Sequence, residues 1–556
     1  IKLRLLMTKT SLNNSTKTIV IRTNAGERTG IGHLVRSIQL AKELRKNKID
    51  IIFILDFLEL NISPFLIEFE TICLYNSLQL EIDQTRDAEL FLKKIENIQP
   101  DYVILDDYRI DKVWETIISL NHHKLLVIDD ILRDHVCDII VDMKWRGKQT
   151  YTRYDNLVPE HTTKLLGPAY TLLAESYRSN NLAVSNDNSD TFNIMIGVGG
   201  RGDLTLCKQF IEALLKKQSI FIKPLKLMVV LGPLSENSQS LVNEYHDLKN
   251  ISILIGKTDL FPYLSETHLY IGAAGGTLYQ LLALKIPALT FPIAENQESE
   301  KQQLEDIGHY FHLDSFTLSD CQNLPAFAKT VSDNYPRFKT LISQSKLVVD
   351  GFGSQRVTEQ IISNTQKSST SGATLQNKRK ILSKSYSLSD THDIREVDDE
   401  DINHYVVSRN LPSNCQNMIT VEKLPFLPHY SWWFTAKRDS YLLSKDKTPC
   451  LYIWHEVKQY KQQDFLIGGW FVCQENIGFQ EALLALSWQL KYCQEHMPNT
   501  PWIAVIHREN NFVKLLNKYV GFEDVGLDHA YSSAIQTIFD SASFDDFYYV
   551  TFNAQK

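Results

Sequence analysis

The sequence predicts an α/β protein with two parallel-sheet domains and a third domain of different composition. Apolar, β-branched runs alternate with amphipathic runs from residue 18 to about 177, and a second alternating set begins at 192. A glycine loop separates the first apolar run, 18–22, from an amphipathic run over 34–44. Strand, glycine loop and helix in this order are how α/β proteins present a helix N-terminus to a phosphate.

Ten apolar runs are strand candidates, and they fall into two consecutive sets. The first set is 18–22, 51–55, 102–105, 124–128 and 139–141. The second set is 192–196, 225–231, 251–255, 269–271 and 288–291. Two consecutive βαβ-rich halves indicate two parallel-sheet domains that face a cleft. We expect the first over 18–180, after an N-terminal extension of residues 1–17, and the second over 190–362, with a polar hinge at 179–189 between them.

A change of composition marks the third domain. The segment 363–377 is almost free of large apolar residues and predicts a linker, which we extend to 384. The unit after it, 385–556, is rich in aromatic residues and is expected to be α+β. Its predicted elements are a strand pair at 450–457 and 465–472, a helix at 480–493, a strand at 502–507 and a helix at 511–519.

Composition excludes several classes of protein. At 556 residues the chain is too long for one hydrophobic core. A net charge of −8 argues against a general nucleic-acid binder but leaves room for a local basic pocket. The eight cysteines form no CxxC and no Cys/His cluster, which is typical of a reducing compartment and predicts no metal site. With no 18-residue apolar run and no signal peptide, we expect a cytoplasmic protein without membrane insertion.

The first candidate site is the glycine loop with Gly30, Gly32, His33 and Arg36. Glycines let the backbone approach a phosphate or a sugar closely. The dipole at the start of a helix favours a neutral imidazole at His33, which can accept a proton from water. The alternative is that the histidine caps the helix and the glycines serve a turn.

Two acid pairs follow apolar runs, Asp106-Asp107 before Tyr108, and Asp129-Asp130. The carboxyl ends of strands are where α/β sheets gather ligand-binding groups. We therefore take Asp107 as a candidate binding residue and expect Tyr108 in the same pocket. Capping of the next helix is an equally weighted alternative for each pair.

Two glycine motifs follow strands of the second half. Gly199 and Gly200 lie in a loop between a strand and a helix. Gly275, Gly276 and Thr277 begin a helix, and their backbone N–H groups with the threonine hydroxyl could hold a diphosphate. Close packing of helix on sheet also requires small residues and is the alternative.

A polar segment, 294–297, follows the apolar run 288–291. The side-chain amides of Asn296 and Gln297 both donate and accept hydrogen bonds, so they can recognise a base or a sugar. Glu295 lies between Ala294 and Asn296, and we include it in the candidate binding set.

Together these motifs resemble the UDP-2,4-diacetamido-2,4,6-trideoxy-β-L-altropyranose hydrolase family of pseudaminic acid biosynthesis. That family is similar to GT-B glycosyltransferases, particularly the peptidoglycan GlcNAc transferase, so the resemblance implies two Rossmann-like domains in the GT-B arrangement. It covers residues 18–362. The matching segments are 30–36, 106–108, 128–130, 165–173, 272–277, 294–297 and 350–356.

The resemblance implies hydrolysis of the anomeric C–O bond of a UDP-linked amino-sugar, without a metal or cofactor. His33 matches the family's catalytic histidine, Tyr108 its tyrosine and Asn296 its amide near the sugar. Gln280 stands where the family usually has a glutamate, which is expected to hold the ribose hydroxyls. The loop Gly-Gly-Arg-Gly-Asp at 199–203 also departs from the family's Gly-Gly-Ser-Asp.

Two other functions are compatible with these motifs. One is a GT-B glycosyltransferase that uses a UDP-sugar donor. The other is a catalytically silent nucleotide-sugar-binding or scaffold protein, for which Gln280 is an argument. The joint presence of His33, Tyr108 and Asn296 argues against a silent protein.

The third domain contains a further set of segments, 394–396, 398–401, 409–410, 417–418, 429–434, 467–470, 510–512 and 518–522. They cover most of 390–526 and resemble the GNAT acyltransferases, particularly their amino-sugar acetyltransferases. The resemblance implies acetyl-CoA as cofactor, with Gln474, Gly478 and Asn510 as candidate acyl-CoA residues. The diphosphate loop has a single glycine, and Phe479 replaces a small residue, so we expect weak binding at best. An interaction module is the alternative. In the pathway of the hydrolase family that the chain resembles, N-acetylation precedes UDP removal. A covalent link between the two domains would therefore raise the effective concentration of the acetylated intermediate at the hydrolase site. Association with other enzymes of the sugar pathway is also expected.

Overall fold

The computed structural model describes residues 17–26, 30–178, 189–199, 203–294, 297–363, 384–475 and 477–553. The chain divides into two compact units, 1–325 with 331–379, and 326–330 with 380–556. The larger unit contains two parallel sheets and the smaller one a mostly antiparallel sheet. Below, 17–178 is the first domain, 189–363 the second domain and 384–553 the C-terminal domain.

The first domain is built on a seven-stranded parallel sheet of order β3-β2-β1-β4-β5-β6-β7. Its strands are β1 Thr18–Thr23, β2 Asp50–Leu55, β3 Glu70–Cys73, β4 Tyr102–Asp106, β5 Leu125–Ile128, β6 Ile139–Asp142 and β7 Thr163–Leu166. Its helices are α1 Gly32–Lys46, α2 Gln84–Ile95 and α3 Lys112–Leu120. The strand order reverses between β1 and β4, and such switch points are where α/β sheets bind ligands.

The second domain repeats this order in a six-stranded parallel sheet, β10-β9-β8-β11-β12-β13. Its strands are β8 Phe192–Gly197, β9 Leu225–Leu231, β10 Ile251–Ile255, β11 Leu269–Ala273, β12 Ala288–Phe291 and β13 Phe311–His312. Its helices are α4 Leu204–Lys216, α5 Ser238–Tyr245, α6 Phe261–Leu264, α7 Thr277–Leu284, α8 Lys301–Asp306, α9 Leu318–Asp333, α10 Tyr335–Ser343 and α11 Gly353–Ser363. The switch point lies between β8 and β11.

The last helix of the second domain returns to the first domain. Val357 and Ile361 on α11 belong to the hydrophobic core that lies on one face of the first sheet. The Arg356 guanidinium pairs with Asp350 and donates a hydrogen bond to the Ala169 carbonyl oxygen at 2.7 Å. This contact accounts structurally for the segment 350–356, and it ties the two parallel-sheet domains together.

The C-terminal domain has eight strands in the order β14-β15-β16-β17-β18-β19-β21-β20. They are β14 Ser385–Ser387, β15 His392–Glu396, β16 Asp439–Lys445, β17 Thr448–Tyr460, β18 Gln463–Val472, β19 Trp502–His507, β20 Glu523–Asp524 and β21 Phe547–Phe552. The helices are α12 Ile402–Arg409, α13 Pro412–Cys415, α14 Phe426–Thr435, α15 Phe479–His496, α16 Asn511–Tyr519 and α17 Ser532–Ile538. Neighbouring strands are antiparallel except β18 and β19, which are parallel and pair only at Leu466 and Trp502.

The predicted pair of parallel α/β sheets is confirmed. Three strands of these two parallel sheets were not predicted, namely β3, β7 and β13. β3 is only half buried and β13 has two residues, so neither forms an apolar run. The predicted hinge and linker fall largely on 179–188 and 364–383, which lie outside the described residues. None of the helices in the described ranges is long and apolar enough to cross a membrane.

Candidate active site

The candidate site begins with a contact between the first glycine loop and the end of β4. His33 is the second residue of α1, and its Nδ1 lies 2.6 Å from Oδ1 of Asp106, the last residue of β4. Burial raises the pKa of Asp106, but the charges of Arg36 and His33 outweigh it and hold that pKa at about 2. Because the carboxylate is ionised, Nδ1 donates to it. Nε2 then remains available, since it makes no hydrogen bond with the described residues.

Arg36, Asp130 and Tyr108 complete a closed network around this pair. The Arg36 guanidinium contacts Asp106 at 2.5 and 2.8 Å and Asp130 at 3.2 Å. The Tyr108 hydroxyl donates to Asp130, and its ring packs edge-on against the His33 imidazole at 4.2 Å between centroids. Burial and the neighbouring carboxylates raise the pKa of Tyr108, so the phenol stays protonated. The network fixes the imidazole from two sides.

The glycines of this loop leave its backbone uncovered. Gly30 has a φ of +70°, which glycine adopts without strain, and it exchanges two backbone hydrogen bonds with Gly26. A side chain at Gly30 or Gly32 would meet no atom of the described residues. No side chain caps α1. The N-terminus of this helix is therefore open to an anion.

Asp107 points away from His33. Its carboxylate accepts hydrogen bonds from the backbone N–H and the Nε of Arg109 at 3.0 and 2.9 Å. Arg109 also pairs with buried Asp56 at 2.7 Å, which in turn holds fully buried Arg22 at 2.5 Å. Asp107 therefore belongs to an ion-pair network behind the strand ends. The capping alternative does not apply to this pair of acids, because Asp111 caps α3.

The second glycine motif presents an open helix N-terminus. Gly276 is exposed at the start of α7 and no side chain caps that helix. A Cβ at Gly276 would meet nothing within 4 Å, whereas one at Gly272 would lie 1.8 Å from the Gly197 carbonyl oxygen. Close packing thus explains Gly272 but not Gly276. Gly275 and Thr277 flank this open position, and Gly199 across the switch point has a φ of +81°.

Gln280 offers an acceptor without a partner. Its Oε1 is buried and makes no hydrogen bond in the described part of the chain. Gln297 lies nearby in the second domain, where its amide nitrogen would be 3.3 Å from a Cβ at Gly275. Its own Oε1 accepts from the Ile293 N–H at 3.1 Å. Gly200, Glu295 and Asn296 fall outside the described residues, so their predicted roles stay predictions.

The loop after β6 brings the two parallel-sheet domains together and was missed by the sequence analysis. Trp145 Nε1 donates to Asp306 of the second domain at 3.1 Å. Burial raises the pKa of Asp142 to about 7, although Arg153 lies 2.7 Å away and opposes this. The pKa of Tyr279 on α7 is also raised, mainly by burial and then by the negative charge of Asp142. Asp142 directly follows the apolar run 139–141, so the rule used for Asp106 could have found it.

The described part of the chain offers no candidate metal site. The described residues contain no group of three His, Cys, Asp or Glu side chains that could ligate a metal ion.

A cavity of about 430 Å³ opens in the C-terminal domain where β18 and β19 diverge. Of the predicted acyl-CoA residues, Gln474 is exposed, Gly478 is the N-cap of α15, and Asn510 caps α16 by accepting from the Val513 N–H at 3.1 Å. Phe479 is 51% exposed at the start of α15. These residues provide no cationic group for a diphosphate.

Comparison with known proteins finds distant relatives. No protein-family model matches the chain. An uncharacterised protein of Methanocaldococcus jannaschii is 24% identical over 490 residues, which are 84% of this chain and 90% of that protein. The UDP-2,4-diacetamido-2,4,6-trideoxy-β-L-altropyranose hydrolase of Campylobacter jejuni is 22% identical over 293 residues, 52% of this chain and 97% of that enzyme.

Solved structures align with part of the chain at low identity. Staphylococcus aureus MnaA in complex with UDP is 13% identical, with a TM-score of 0.43, and covers 62% of this chain and 96% of its own. Acinetobacter baumannii MurG is 16% identical, with a TM-score of 0.42, and covers 62% of this chain and 99% of its own.

Proposed function

We propose that the two parallel-sheet domains hydrolyse a UDP-linked diacetamido-trideoxy sugar at its anomeric C–O bond, in a pseudaminic-type nonulosonic acid pathway. The products are UDP and the free amino-sugar. The observation that carries the proposal is the 2.6 Å contact between His33 Nδ1 and Asp106, which leaves Nε2 free to act as a base. The similarity to the Campylobacter jejuni hydrolase, over 97% of that enzyme, supports hydrolysis as the reaction.

His33 is the general base in this proposal. Its Nε2 takes a proton from water while the oxygen of that water bonds to the anomeric carbon, and the C–O bond to the diphosphate breaks. The electron pair of that bond leaves with UDP. The Asp106 carboxylate, ionised because its pKa is about 2, stabilises the imidazolium that forms and holds the ring in one orientation. A single water attacks opposite the leaving group, so the anomeric configuration inverts.

The second domain would hold the leaving group. The uncapped N-terminus of α7, with Gly275, Gly276 and Thr277, supplies backbone N–H groups and a hydroxyl for the diphosphate. The buried and unpartnered Oε1 of Gln280 is suited to accept from a ribose hydroxyl. We assign Asn296 to the sugar and Tyr108 to the wall beside the imidazole.

UDP release from UDP-linked diacetamido-trideoxy sugars in ¹⁸O-water tests the proposal. Label in the free sugar, with inverted anomeric configuration, is the expected result. Label in UDP means P–O cleavage and contradicts the mechanism.

The same assay separates the other functions. UDP release that depends on an added sugar acceptor identifies a glycosyltransferase, and conversion of the UDP-sugar without UDP release identifies an epimerase. UDP binding without turnover of any of these substrates identifies a silent nucleotide-sugar-binding protein.

A further inference from the structure

We propose that the cavity of the C-terminal domain binds an uncharged N-acylated amino-sugar rather than acyl-CoA. The inference rests on the proposed function only for the choice of sugar, since hydrolysis of a UDP-diacetamido sugar yields such a product.

The cavity has the size of a small-molecule site. Its volume of about 430 Å³ lies within the range of about 300–1,000 Å³ that is common for ligand pockets. It forms because β18 and β19 pair only at Leu466 and Trp502 and then diverge. A Cβ at Gly468 of β18 would lie 2.7 Å from the Trp502 ring, so this glycine lets the indole lie against the strand.

Three tryptophans line the cavity, Trp454, Trp470 and Trp502. The Arg438 guanidinium covers the Trp454 ring, with its central carbon 3.6 Å from the ring centroid, so Trp470 and Trp502 are the rings left for a ligand. Their indole faces offer apolar surface for the C–H faces of a sugar ring, and each indole N–H can donate to a hydroxyl or an acetamido oxygen. The N–H groups of Trp470 and Trp502 donate no hydrogen bond within the described part of the chain. They are therefore available to a ligand.

Neutral amides supply the remaining polar contacts. Gln489 is 1% exposed, and its Nε2 donates to the Trp454 carbonyl oxygen at 2.7 Å, which turns Oε1 into a fixed acceptor. Asn517 is 8% exposed, and its side chain makes no hydrogen bond with the described residues. Amides that donate and accept are suited to hydroxyl and acetamido groups.

The charges of the cavity oppose a polyanion. No Lys or Arg occurs among the described residues that line it, where the acidic side chain is Glu475 at the exposed edge and the basic one is His507. The N-terminus of α15, where a diphosphate would dock, already has a carboxylate in place. A Cβ at Gly478 would lie 2.8 Å from Glu481 Oε2, whose other oxygen pairs with Lys445 at 2.8 Å. An uncharged ligand avoids this repulsion.

Hydrogen–deuterium exchange of the full chain locates the binding site. The probes are a free 2,4-diacetamido-2,4,6-trideoxyhexose, N-acetylglucosamine and acetyl-CoA, each titrated into the millimolar range. We expect both sugars to slow exchange in 463–472 and 502–517, and acetyl-CoA to leave these segments unchanged. The inference is overturned if acetyl-CoA alone slows exchange in these segments, or if none of the three probes does.

Matched tryptophan variants test the assigned contacts. Trp470→Phe should weaken sugar binding at least about tenfold in calorimetry, because the indole N–H and part of the stacking surface are lost. Trp488→Phe is the control, since Trp488 is equally half buried but packs against Tyr441 and Tyr492 outside the cavity. Asn517→Leu provides a second test by removing only the amide. Equal affinity of all three variants contradicts the proposal. If the enzyme releases no UDP, the proposed hydrolysis is overturned, but the sugar-binding measurements still test the cavity.

Discussion

The edge of the first parallel sheet and the cavity of the C-terminal domain use opposite chemistry. At the sheet edge, His33, Asp106, Arg36 and Asp130 form an ion-pair network with separations of 2.5–3.2 Å. The cavity is lined by indole rings and amides, without a Lys or Arg among its described residues. These contacts hold the charged side chains of the first region in fixed positions.

The difference indicates what each region can do. Preorganised charges favour a transition state in which charge develops, because they need no rearrangement during the reaction. They are expensive to bury, so a protein retains them where they are paired. An aromatic and amide surface binds a neutral ligand without that cost, but offers no ionised base or acid. We therefore assign chemistry to the sheet edge and binding to the cavity.

Removal of the proposed base should have the largest effect. His33→Ala should lower the rate of UDP release by about 10²–10⁴-fold, the usual share of a general base. The affinity for UDP should change little, because the diphosphate is assigned to the second domain. Steady-state kinetics with calorimetry of UDP binding measure both. His161→Ala, at an exposed histidine of the same domain, is the control. Undiminished turnover of His33→Ala removes this residue from catalysis.

Neutralising the partner of the base should have the next largest effect. In Asp106→Asn the amide cannot stabilise an imidazolium and can donate to Nδ1, which places the proton on Nε2. We expect kcat to fall by about 10²-fold with little change in KM. The loss of one partner of partly buried Arg36 should also lower the melting temperature. Asp111→Asn is the control, since asparagine caps a helix as well as aspartate. A fall in stability with normal kcat would make Asp106 purely structural.

Most strands and helices could be predicted from the sequence because the residue types change abruptly at their ends. The strands 225–231, 251–255, 288–291 and 502–507, and the helix 511–519, match the structure at both ends. Each of the four strands is bounded at both ends by proline, glycine or a polar residue. Strand β3 was missed because none of its four residues is fully buried and they carry no clear hydrophobic period.

The sequence also located the candidate motifs at the right strand ends. The glycine loops and acids lie after β1, β4, β8 and β11, the strands that flank the two switch points. It did not distinguish Asp106 from Asp107. Consecutive residues at a strand end point to opposite faces, and which face α1 covers depends on the tertiary fold. One usable signal was overlooked: Arg22 inside an apolar strand requires buried carboxylates, and Asp56 and Asp87 provide them.

A substitution in the second domain tests whether Gln280 makes UDP binding weaker than a glutamate would. Gln280→Glu should strengthen UDP binding by about 0.5–1.5 kcal/mol, because a charged acceptor would meet the ribose hydroxyls. Calorimetry of UDP binding measures the change. Gln344→Glu, on the surface after α10, controls for added negative charge. Unchanged or weaker binding means that Gln280 does not contact the ribose.

A pH dependence of stability, with opposite sign in the first domain and in the C-terminal domain, is also expected. In the first domain, burial lowers the pKa of His135, but Asp129 and Glu115 outweigh it and raise the value to about 9. In the C-terminal domain, burial lowers the pKa values of His429 and His455 to about 4. An unfolded histidine titrates near 6.5. The folded state therefore holds the extra proton of His135 between pH 6.5 and 9, whereas it excludes the protons of the other two between pH 4 and 6.5.

Raising the pH from 6.5 to 9 should thus destabilise the first domain, and lowering it from 6.5 to 4 should destabilise the C-terminal domain. Hydrogen–deuterium exchange measured during thermal unfolding separates the stabilities of the two domains, with peptides that cover β5 reporting on the first domain and peptides that cover β17 on the C-terminal domain. His135→Gln should remove most of the loss of stability between pH 6.5 and 9 and leave the part due to Asp142, whose folded pKa of about 7 also lies above that of an unfolded aspartate. His161→Gln, at the exposed position, should preserve that loss. If β5 is equally stable at pH 6.5 and 9 in the unmodified chain, His135 is not charged in the folded protein, and the first domain is less ionic than its ion pairs indicate.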